Sequence, residues 1–499
     1  MSENTTPETG SEAIQDAPKK PMDNEGNRLI RLAEEHSIPL RSQENQHYLA
    51  FHDQPHVAVH HDGASSEGMQ KLMNISMVKT NKWASSSAKA LASDYLTAQC
   101  ATSPVINIDM RVQQNGDVIY LDTGASNGAV IKVTVRGVEK LDSSPVTFCR
   151  SGVTRVLPDI TPTAGSLLEL LDFVRISKCA LPLLIASLIN TWMTDMPQPV
   201  ILVQGPAASG KSTAMGFLMD LIDPTTTQPG CLMKSDARYM RSLSRMRRVF
   251  VFDNVSHVQS DESDLIARIT TGAELPERAL YTNSGTDMIQ LKRPVIINGI
   301  LDGFSRSDLA SRSVVFELDP IPKDQRSSAM KLVQAWEDKK SGIFTALLEM
   351  TSLVLRELPS TTARQIGHRN PDLVKMTQIV GAQLGIDGGS YLESSVQALT
   401  QSVLASNPTG QAFMNLIDGY NVHSEQFGIA LSGQELLQVL KDAIKSEVLE
   451  AKLPTNPKGL GEAIKRLAGD LEAILGLRIE KSRTSRHMTY TLIYEPDAA

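Results

Sequence analysis

The stretch Val200-Ile201-Leu202-Val203-Gln204-Gly205-Pro206-Ala207-Ala208-Ser209-Gly210-Lys211-Ser212-Thr213 decides the fold. Its four leading apolar residues predict a buried β-strand, and the apolar-periodic stretch from Thr213 to Ile222 predicts a helix. Between them lies the pattern G-x-x-x-x-G-K-S. The glycines allow backbone N–H groups to point inward at a polyanion, and the start of a helix adds partial positive charge. The sequence therefore predicts a strand, a phosphate-binding loop and a helix.

A loop of this kind binds the phosphates of a nucleoside triphosphate together with Mg²⁺. We expect Lys211 to reach the β- and γ-phosphates and the Ser212 hydroxyl to coordinate the metal ion. No guanine-specific Asn-Lys-x-Asp signature occurs in the sequence, so ATP is expected by elimination. A plain glycine turn is the alternative interpretation. The predicted nucleotide-binding residues are Gly205, Pro206, Ala207, Ala208, Ser209, Gly210, Lys211, Ser212 and Thr213.

Bulk properties narrow the class of protein. A chain of 499 residues is long enough for about three domains. Its net charge of −7 means that any nucleic-acid surface must be local. The four cysteines are widely separated and form neither a metal-spaced pair nor a dense disulfide framework. The N-terminus has no signal pattern, and the most apolar stretch is too short to span a bilayer. We expect a cytoplasmic protein with no membrane partner.

The chain is predicted to be an α/β protein of several parts. Residues 1–28 have few large apolar side chains and predict a disordered tail. Residues 29–160 contain short strand-like runs separated by turn signals and predict a small α+β domain. A nucleotide-binding core is expected over 165–320 and a helical region over 321–425. Residues 430–499 contain two helices and a terminal hairpin, which is typical of a winged helix.

Two further strands are expected to carry polar side chains to the nucleotide. The apolar run Val249 to Phe252 ends in Asp253-Asn254, and a carboxylate at that strand tip can hold the metal ion. A loop-capping role for Asp253 is the alternative. The run Pro294 to Ile297 ends in Asn298, whose amide can orient the attacking water.

Arg312 follows Asn298 by only 14 residues and precedes another apolar strand. A guanidinium at this point would face a neighbouring subunit and could stabilise the charge that develops on the γ-phosphate, as an arginine finger. A surface ion pair with Asp308 is the alternative.

This order of parts resembles the AAA+ class of P-loop ATPases. Within that class, the short gap from Asn298 to Arg312 and the ending Ser311-Arg312-Ser313-Val314-Val315-Phe316-Glu317-Leu318 are similar to superfamily 3 helicases. The run Arg306 to Arg312 is also similar to the R-x-D-L-A-x-R segment of primase-associated ATPases of phages and integrative mobile elements. The resemblance implies an oligomeric ring that shares ATP between subunits, works on DNA, and has a primase or another replication protein as partner.

The sequence departs from that family beside the predicted metal ligand. Most AAA+ proteins place a glutamate after the acidic residue, as the base that polarises water, but here the position is Asn254. Either Asp253 serves both purposes or Glu262 approaches the site. The predicted catalytic residues are Lys211, Asp253, Asn254, Asn298 and Arg312.

Two segments are candidates for DNA contact. Alternation on either side of Asn283-Ser284-Gly285 predicts a β-hairpin, and in the helicase family a hairpin here touches single-stranded DNA. Its tip lacks a lysine, and Lys292 and Arg293 lie at its base. The second segment is the basic tip of the C-terminal hairpin, where Lys481, Arg483 and Arg486 could neutralise phosphates. A plain connecting hairpin and a protein-docking module are the respective alternatives.

The sequence thus predicts an ATP hydrolase that couples hydrolysis to DNA translocation, unwinding or remodelling. A different class stays open, in which nucleotide binding sets an assembly state for signalling or defence and recruits partners without unwinding. Asn254 and the net negative charge favour this alternative.

Overall fold

The structure is a computed structural model. It divides between Asn107 and Ile108 into two compact units, and each is described by itself. The mixture of helices and sheets confirms the α/β class. The described residues are 24–226, 237–256, 258–278, 286–299, 307–322, 328–366, 368–419, 427–444, 446–483 and 488–495.

The first unit is a sheet with three helices. Strands β1, β2 and β3 pair antiparallel in sequence, and β4 pairs parallel with β1. Leucine, methionine and phenylalanine side chains from the sheet and the helices share one core cluster. The elements are α1 (Glu25–His36), β1 (Ser37–Ser42), β2 (His47–Phe51), β3 (Gln54–His60), α2 (Glu67–Thr80), α3 (Ser86–Thr102) and β4 (Val105–Ile106).

The predicted disordered tail extends too far into this unit. Helix α1 begins at Glu25, so the prediction of disorder is wrong for residues 25–28. The Asn24 side chain caps the helix by accepting from the Asn27 amide at 2.8 Å, which satisfies a first-turn N–H group. Leu29 and Ala33 are buried one turn apart and hold the helix on the unit.

The second unit contains the remaining elements. Its short strands lie in an antiparallel meander and a two-stranded parallel pair, followed by the central sheet and two helical regions. Its first elements are β5 (Ile108–Met110), β6 (Val112–Asn115), β7 (Val118–Asp122), β8 (Val130–Thr134), β9 (Gly137–Leu141), β10 (Thr147–Cys149), α4 (Leu181–Asn190), β11 (Val200–Gln204), α5 (Lys211–Ile222), α6 (Ala237–Met246), β12 (Phe250–Val255) and α7 (Ser260–Ile269). Then follow β13 (Ala273–Arg278), β14 (Thr286–Leu291), β15 (Val295–Gly299), α8 (Ser307–Ala310), β16 (Ser313–Glu317), α9 (Ala329–Glu357), α10 (Pro371–Leu384), α11 (Gly388–Ser406), α12 (Pro408–Gly419), β17 (Phe427–Ser432), α13 (Gly433–Ala443), α14 (Glu447–Glu450), α15 (Pro457–Leu475), β18 (Leu477–Arg483) and β19 (Met488–Tyr494).

The antiparallel meander β6–β9 lies in the second unit. The sequence had predicted that these strands belong to an N-terminal domain over residues 29–160. The apolar residues of the meander belong to the same core cluster as those of α4, α5 and α9. The Ser352 hydroxyl of α9 also donates to the Thr134 carbonyl at 2.6 Å. The meander buries its apolar face against the helices that flank the central sheet, and the boundary between the units therefore lies at residue 107 instead of residue 160.

The central sheet consists of four parallel strands in the order β12-β15-β11-β16. Strand β11 is buried along its whole length. Ile201 and Val203 face a core cluster that contains residues of α4, α5 and α9. Val200 and Leu202 face another that contains residues of α6 and α7. Burial on both faces explains why the strand is a continuous apolar run rather than an alternating one.

The helical parts follow the sequence with local differences. Two 3₁₀ turns, Leu167–Asp172 and Lys178–Ala180, precede α4. Helix α9 lies within the helical region that was expected over 321–425. At the C-terminus, α13 and α15 pack on the sheet β17-β19-β18 in a cluster that begins at Leu404. No helix in the described ranges is both long and apolar enough to cross a membrane.

A buried ion pair links the meander to the central sheet. Asp223 directly follows α5, and its carboxylate accepts from Arg111 Nε at 3.1 Å. The other carboxylate oxygen accepts from the Arg248 and Val249 amides at 2.8 and 3.1 Å. Arg111 is 2% exposed and also donates to the Asp122 and Pro224 carbonyls. One carboxylate therefore fixes the end of α5 against the start of β12.

We expect Asp223→Asn to lower the free energy of unfolding by about 3–5 kcal/mol, because it leaves the Arg111 guanidinium buried without its counter-charge. Chemical denaturation followed by circular dichroism measures the change. The matched control is Asp159→Asn, which removes an exposed pair with Lys140 and should cost no more than about 1 kcal/mol. Equal effects of the two substitutions would contradict the structural role of Asp223.

Candidate nucleotide-binding site

The loop between β11 and α5 requires glycine at both ends. Gly205 has φ +145° and Gly210 has φ +81°, which are values that side chains disfavour. A Cβ at Gly205 would also lie 2.6 Å from the Leu318 carbonyl oxygen. Ala208 adopts φ +64° despite its side chain, at a cost of about 1–2 kcal/mol. The conformation is therefore enforced by its surroundings.

Lys211 lies over this loop. Its Nζ donates to the carbonyl oxygens of Gly205 at 2.9 Å and Pro206 at 3.0 Å. Ser212 and Thr213 are exposed in the first turn of α5, where the amides have no intrahelical carbonyl partner. The lysine, the hydroxyls and the helix start therefore lie together.

Asp253 and Asn298 lie side by side at the same edge of the sheet. Asn298 pairs in register with Val203, and Ile297 pairs with Phe252. The Asn298 Nδ2 donates to Asp253 Oδ1. Asn298 is 5% exposed, whereas Asp253 is half-buried. Because β12 and β11 are two strand spacings apart, their tips are separated by about 10 Å.

Asn254 occupies the position where a catalytic glutamate was considered. It is exposed and has φ +56°, and its amide donates to Asp253 Oδ1 at 2.9 Å. The alternative acid, Glu262, accepts from the Gln259 amide at 2.9 Å and caps α7. The side-chain amide of Asn254 cannot accept a proton at neutral pH, and Glu262 is engaged at the start of α7. Asp253 is therefore the carboxylate that is left as a candidate base.

The residues present fit a nucleotide with Mg²⁺. The Ser209 hydroxyl is a buried polar atom within the loop that has no hydrogen-bond partner among the described residues. Ser212 and Asp253 supply oxygen ligands of the kind that Mg²⁺ prefers, and this ion is usually held by one or two protein oxygens together with phosphates and water. In the part of the chain that the structure describes, no group of three or more His, Cys, Asp or Glu residues is arranged to hold a metal ion.

Arg312 lies at the opposite edge of the sheet. It directly precedes β16, and its carbonyl accepts from the Val200 amide at 3.0 Å, where β11 begins. The loop begins after Gln204, which pairs with Glu317 at the other end of β16. Five residues of strand separate the two edges by about 16 Å. The fold therefore does not bring Arg312 to the loop of its own chain.

The same edge carries several other cations. Lys292 and Arg293 lie between β14 and β15, and Arg248 precedes β12. The pKa of Arg248 is lowered to about 10, mainly by burial and also by the nearby Arg293, whereas Asp109 and Asp223 oppose the shift. Burial also lowers the pKa of Lys292. Arg248 was not predicted from the sequence, although its place directly before an apolar strand is the same signal that singled out Arg312.

The predicted hairpin before β15 is confirmed for its arms. Ala273–Arg278 pairs antiparallel with Thr286–Leu291, so the first arm lies earlier than the sequence suggested. Lys292 and Arg293 follow the second arm, at the base of the hairpin, and both are half-buried. The tip residues 279–285 lie outside the described residues, as does the side chain of Asp308.

The C-terminal hairpin is confirmed as β18 and β19, which pair antiparallel from Leu477–Tyr494 to Arg483–Met488. Lys481 and Arg483 are exposed on β18. Lys481 Nζ lies 5.8 Å from the ring centroid of Tyr490. Arg486 lies outside the described residues.

Part of the chain is similar to a family of replication proteins. Residues 164–394 match the family model of the Actinomycete integrative conjugative element replication protein. A structure of the NrS-1 C-terminal region (305-718) is 10% identical, with a TM-score of 0.41, covering 95% of this chain and 100% of that chain. A JCV helicase structure is 12% identical, with a TM-score of 0.18, covering 47% of this chain and 70% of that chain. No curated protein matches the chain.

The positive φ of Asn254 leads to a testable prediction about the stability of the protein. Asparagine tolerates the left-handed region better than glutamate, and glycine tolerates it best. We expect Asn254→Glu to lower the free energy of unfolding by about 1 kcal/mol and Asn254→Gly to leave it within about 0.5 kcal/mol. Urea denaturation of the three proteins measures both. A glutamate variant as stable as the glycine variant would show that the positive φ imposes no constraint.

Proposed function

We propose that this protein is an oligomeric AAA+ ATPase of the superfamily 3 helicase type that couples ATP hydrolysis to movement along, unwinding or remodelling of DNA. The observation that supports this most directly is the arrangement around the sheet. Lys211, Asp253 and Asn298 lie at one edge, whereas Arg312 lies at the other. The match of residues 164–394 to the replication protein family of an integrative conjugative element agrees with a role in mobile-element replication.

Each residue has a defined part in the proposed reaction. The loop amides and Lys211 would bind the phosphates, and Ser212 and Asp253 would hold Mg²⁺. When bound, the metal ion neutralises negative charge on the phosphates. Asn298, fixed by its bond to Asp253, would orient the attacking water. Asp253 is the base candidate, because the neighbouring position is an asparagine.

The position of Arg312 requires a second subunit. Since about 16 Å of strand separates it from its own loop, it could reach a γ-phosphate only in an adjacent copy of the chain. Such a shared site makes hydrolysis depend on assembly, and a ring satisfies this for every subunit at once. A primase or another replication protein is the partner class that the family resemblance suggests.

The C-terminal elements are proposed to bind DNA as a winged helix. Helices α13 and α15 pack on the three-stranded sheet β17-β19-β18, and β18 carries the exposed Lys481 and Arg483. In a chain whose net charge is −7, such a local basic surface can attract phosphates at low and moderate salt.

Turnover assays test the motor. We expect ATP hydrolysis that single-stranded DNA stimulates, and Lys211→Ala should reduce it by at least about 100-fold because the phosphates lose their charged partner. Phosphate release measured with and without DNA gives both quantities, and Lys340→Ala, on α9 beside Glu337, is the control for charge loss. ATP binding with negligible turnover that DNA does not change would refute the motor.

That last outcome would favour the second candidate function, a nucleotide-gated assembly that recruits partners in signalling or defence. Asn254 is the observation in its favour, because it removes the usual base.

Mixing subunits tests the shared site. Arg312→Ala should abolish turnover while leaving ATP binding nearly intact. When it is mixed with Lys211→Ala, some interfaces combine an intact loop with an intact arginine, so turnover should return to about a quarter of the wild-type value in a random equal mixture. Each variant alone is the control. No recovery in oligomers that demonstrably exchange subunits would exclude an arginine supplied in trans.

A further inference from the structure

A cleft in the C-terminal part of the second unit has no role in the nucleotide site. It measures about 680 Å³ and lies where the first turns of α13 and α15 meet β18 and β19. Gly433 lines it from α13, Gly461 from α15, and Tyr490 from β19. Both helices are long enough, at 11 and 19 residues, to direct a partial positive charge toward the cleft.

The glycines permit the close approach that forms this cleft. A Cβ at Gly433 would lie 3.0 Å from Pro457 Cβ and 3.4 Å from the Tyr490 ring. A Cβ at Gly461 would lie 2.6 Å from the Tyr490 hydroxyl. A side chain at either position would push the helix starts away from the tyrosine or fill the space between them.

Tyr490 supplies an independent indication of a ligand. The residue as a whole is 2% exposed, and its hydroxyl borders the cleft beside Gly461 without a hydrogen bond to another described residue. A hydroxyl in this position can exchange a water partner for a ligand. The hydroxyl is therefore placed to donate to a group within the cleft.

The charges around the cleft favour a singly charged anion. Lys458 and Lys481 line it, and so do Glu435 and Glu462, so its formal side-chain charge is zero. The Glu435 carboxylate accepts from the Ser432 amide at 2.7 Å and caps α13. The helix starts add partial positive potential, although the Ser432 hydroxyl already caps the Glu435 amide at 3.3 Å and the Asn456 side chain caps the Gly459 amide at 2.9 Å. Because a phosphodiester carries one charge and a free phosphate about two, the carboxylates disfavour the free phosphate more.

We propose that this cleft binds a backbone phosphodiester of DNA, through Lys458, Lys481, the Tyr490 hydroxyl and the first turns of α13 and α15. The proposal rests on the DNA-binding part of the function proposed above. It places the phosphate at the root of the C-terminal hairpin, where a bound strand would also pass Arg483 on β18.

Fluorescence anisotropy of the full chain with labelled duplex and single-stranded oligonucleotides tests the site. Tyr490→Phe removes only the hydroxyl and should weaken the affinity for DNA about three- to tenfold without changing the melting temperature, because the hydroxyl makes no bond within the described protein. Lys458→Met and Lys481→Met should each reduce the slope of log affinity against log salt by about 1.

Lys441→Met is the matched control. It makes the same charge change at the last turn of α13, eight residues from Gly433 and thus about 12 Å away, beyond the range of strong electrostatic interaction at physiological salt. Its affinity for DNA should stay within about twofold of the wild type.

Each remaining outcome decides against the site in a distinguishable way. If the wild type binds DNA and the three cleft variants bind equally well, the cleft is excluded and the DNA-binding function stands. If millimolar inorganic phosphate displaces the DNA at constant ionic strength, the cleft binds free phosphate instead of the phosphodiester. If the wild type binds neither oligonucleotide, the DNA part of the proposed function fails together with the cleft, while the turnover of Lys211→Ala reports separately on the ATPase.

Discussion

The parallel pairing of β11 with β15 on one side and β16 on the other is the constraint on which the candidate nucleotide site depends. Parallel strands present all their carboxyl ends at one edge. The loop after Gln204, the carboxylate of Asp253 and the amide of Asn298 therefore lie at the same edge of the sheet. The same rule sends Arg312, which precedes its strand, to the other edge. A single choice of strand direction both assembles the site and places Arg312 away from the loop of its own chain.

Contacts from outside the strands hold the parallel sheet in position, because its strands must align with the helices that cover both faces. Asp223 provides part of this support. It neutralises Arg111, which is 2% exposed, and holds the amides that lead into β12. The end of the helix that starts at Lys211 is thereby fixed to the start of the strand that ends at Asp253. A displacement of one element would carry the other with it.

The sequence was sufficient for features that depend on local pattern. The strand, the glycine loop and the helix appear where the motif places them, and the contact between Asp253 and Asn298 follows from the direction of the strands. It was insufficient for the Arg111–Asp223 pair, whose members are 112 residues apart. Arg248 was missed since a charged residue suggests exposure, whereas this one is 3% exposed. The boundary at residue 107 depends on the packing of the meander, which no local pattern contains.

Lys211 and Asp253 already make hydrogen bonds within the protein, and these bonds determine which interactions could supply the free energy of nucleotide binding. Lys211 donates to the Gly205 and Pro206 carbonyls, and Asp253 accepts from Asn254 and Asn298. A triphosphate would compete with the first pair of contacts and a metal ion with the second. Since exchanged hydrogen bonds nearly cancel in free energy, the net gain must come from charge: phosphate against lysine and metal against carboxylate. Ligands without several phosphates would then bind weakly, so the proposed site would select ligands by their number of charges before it distinguishes their bases.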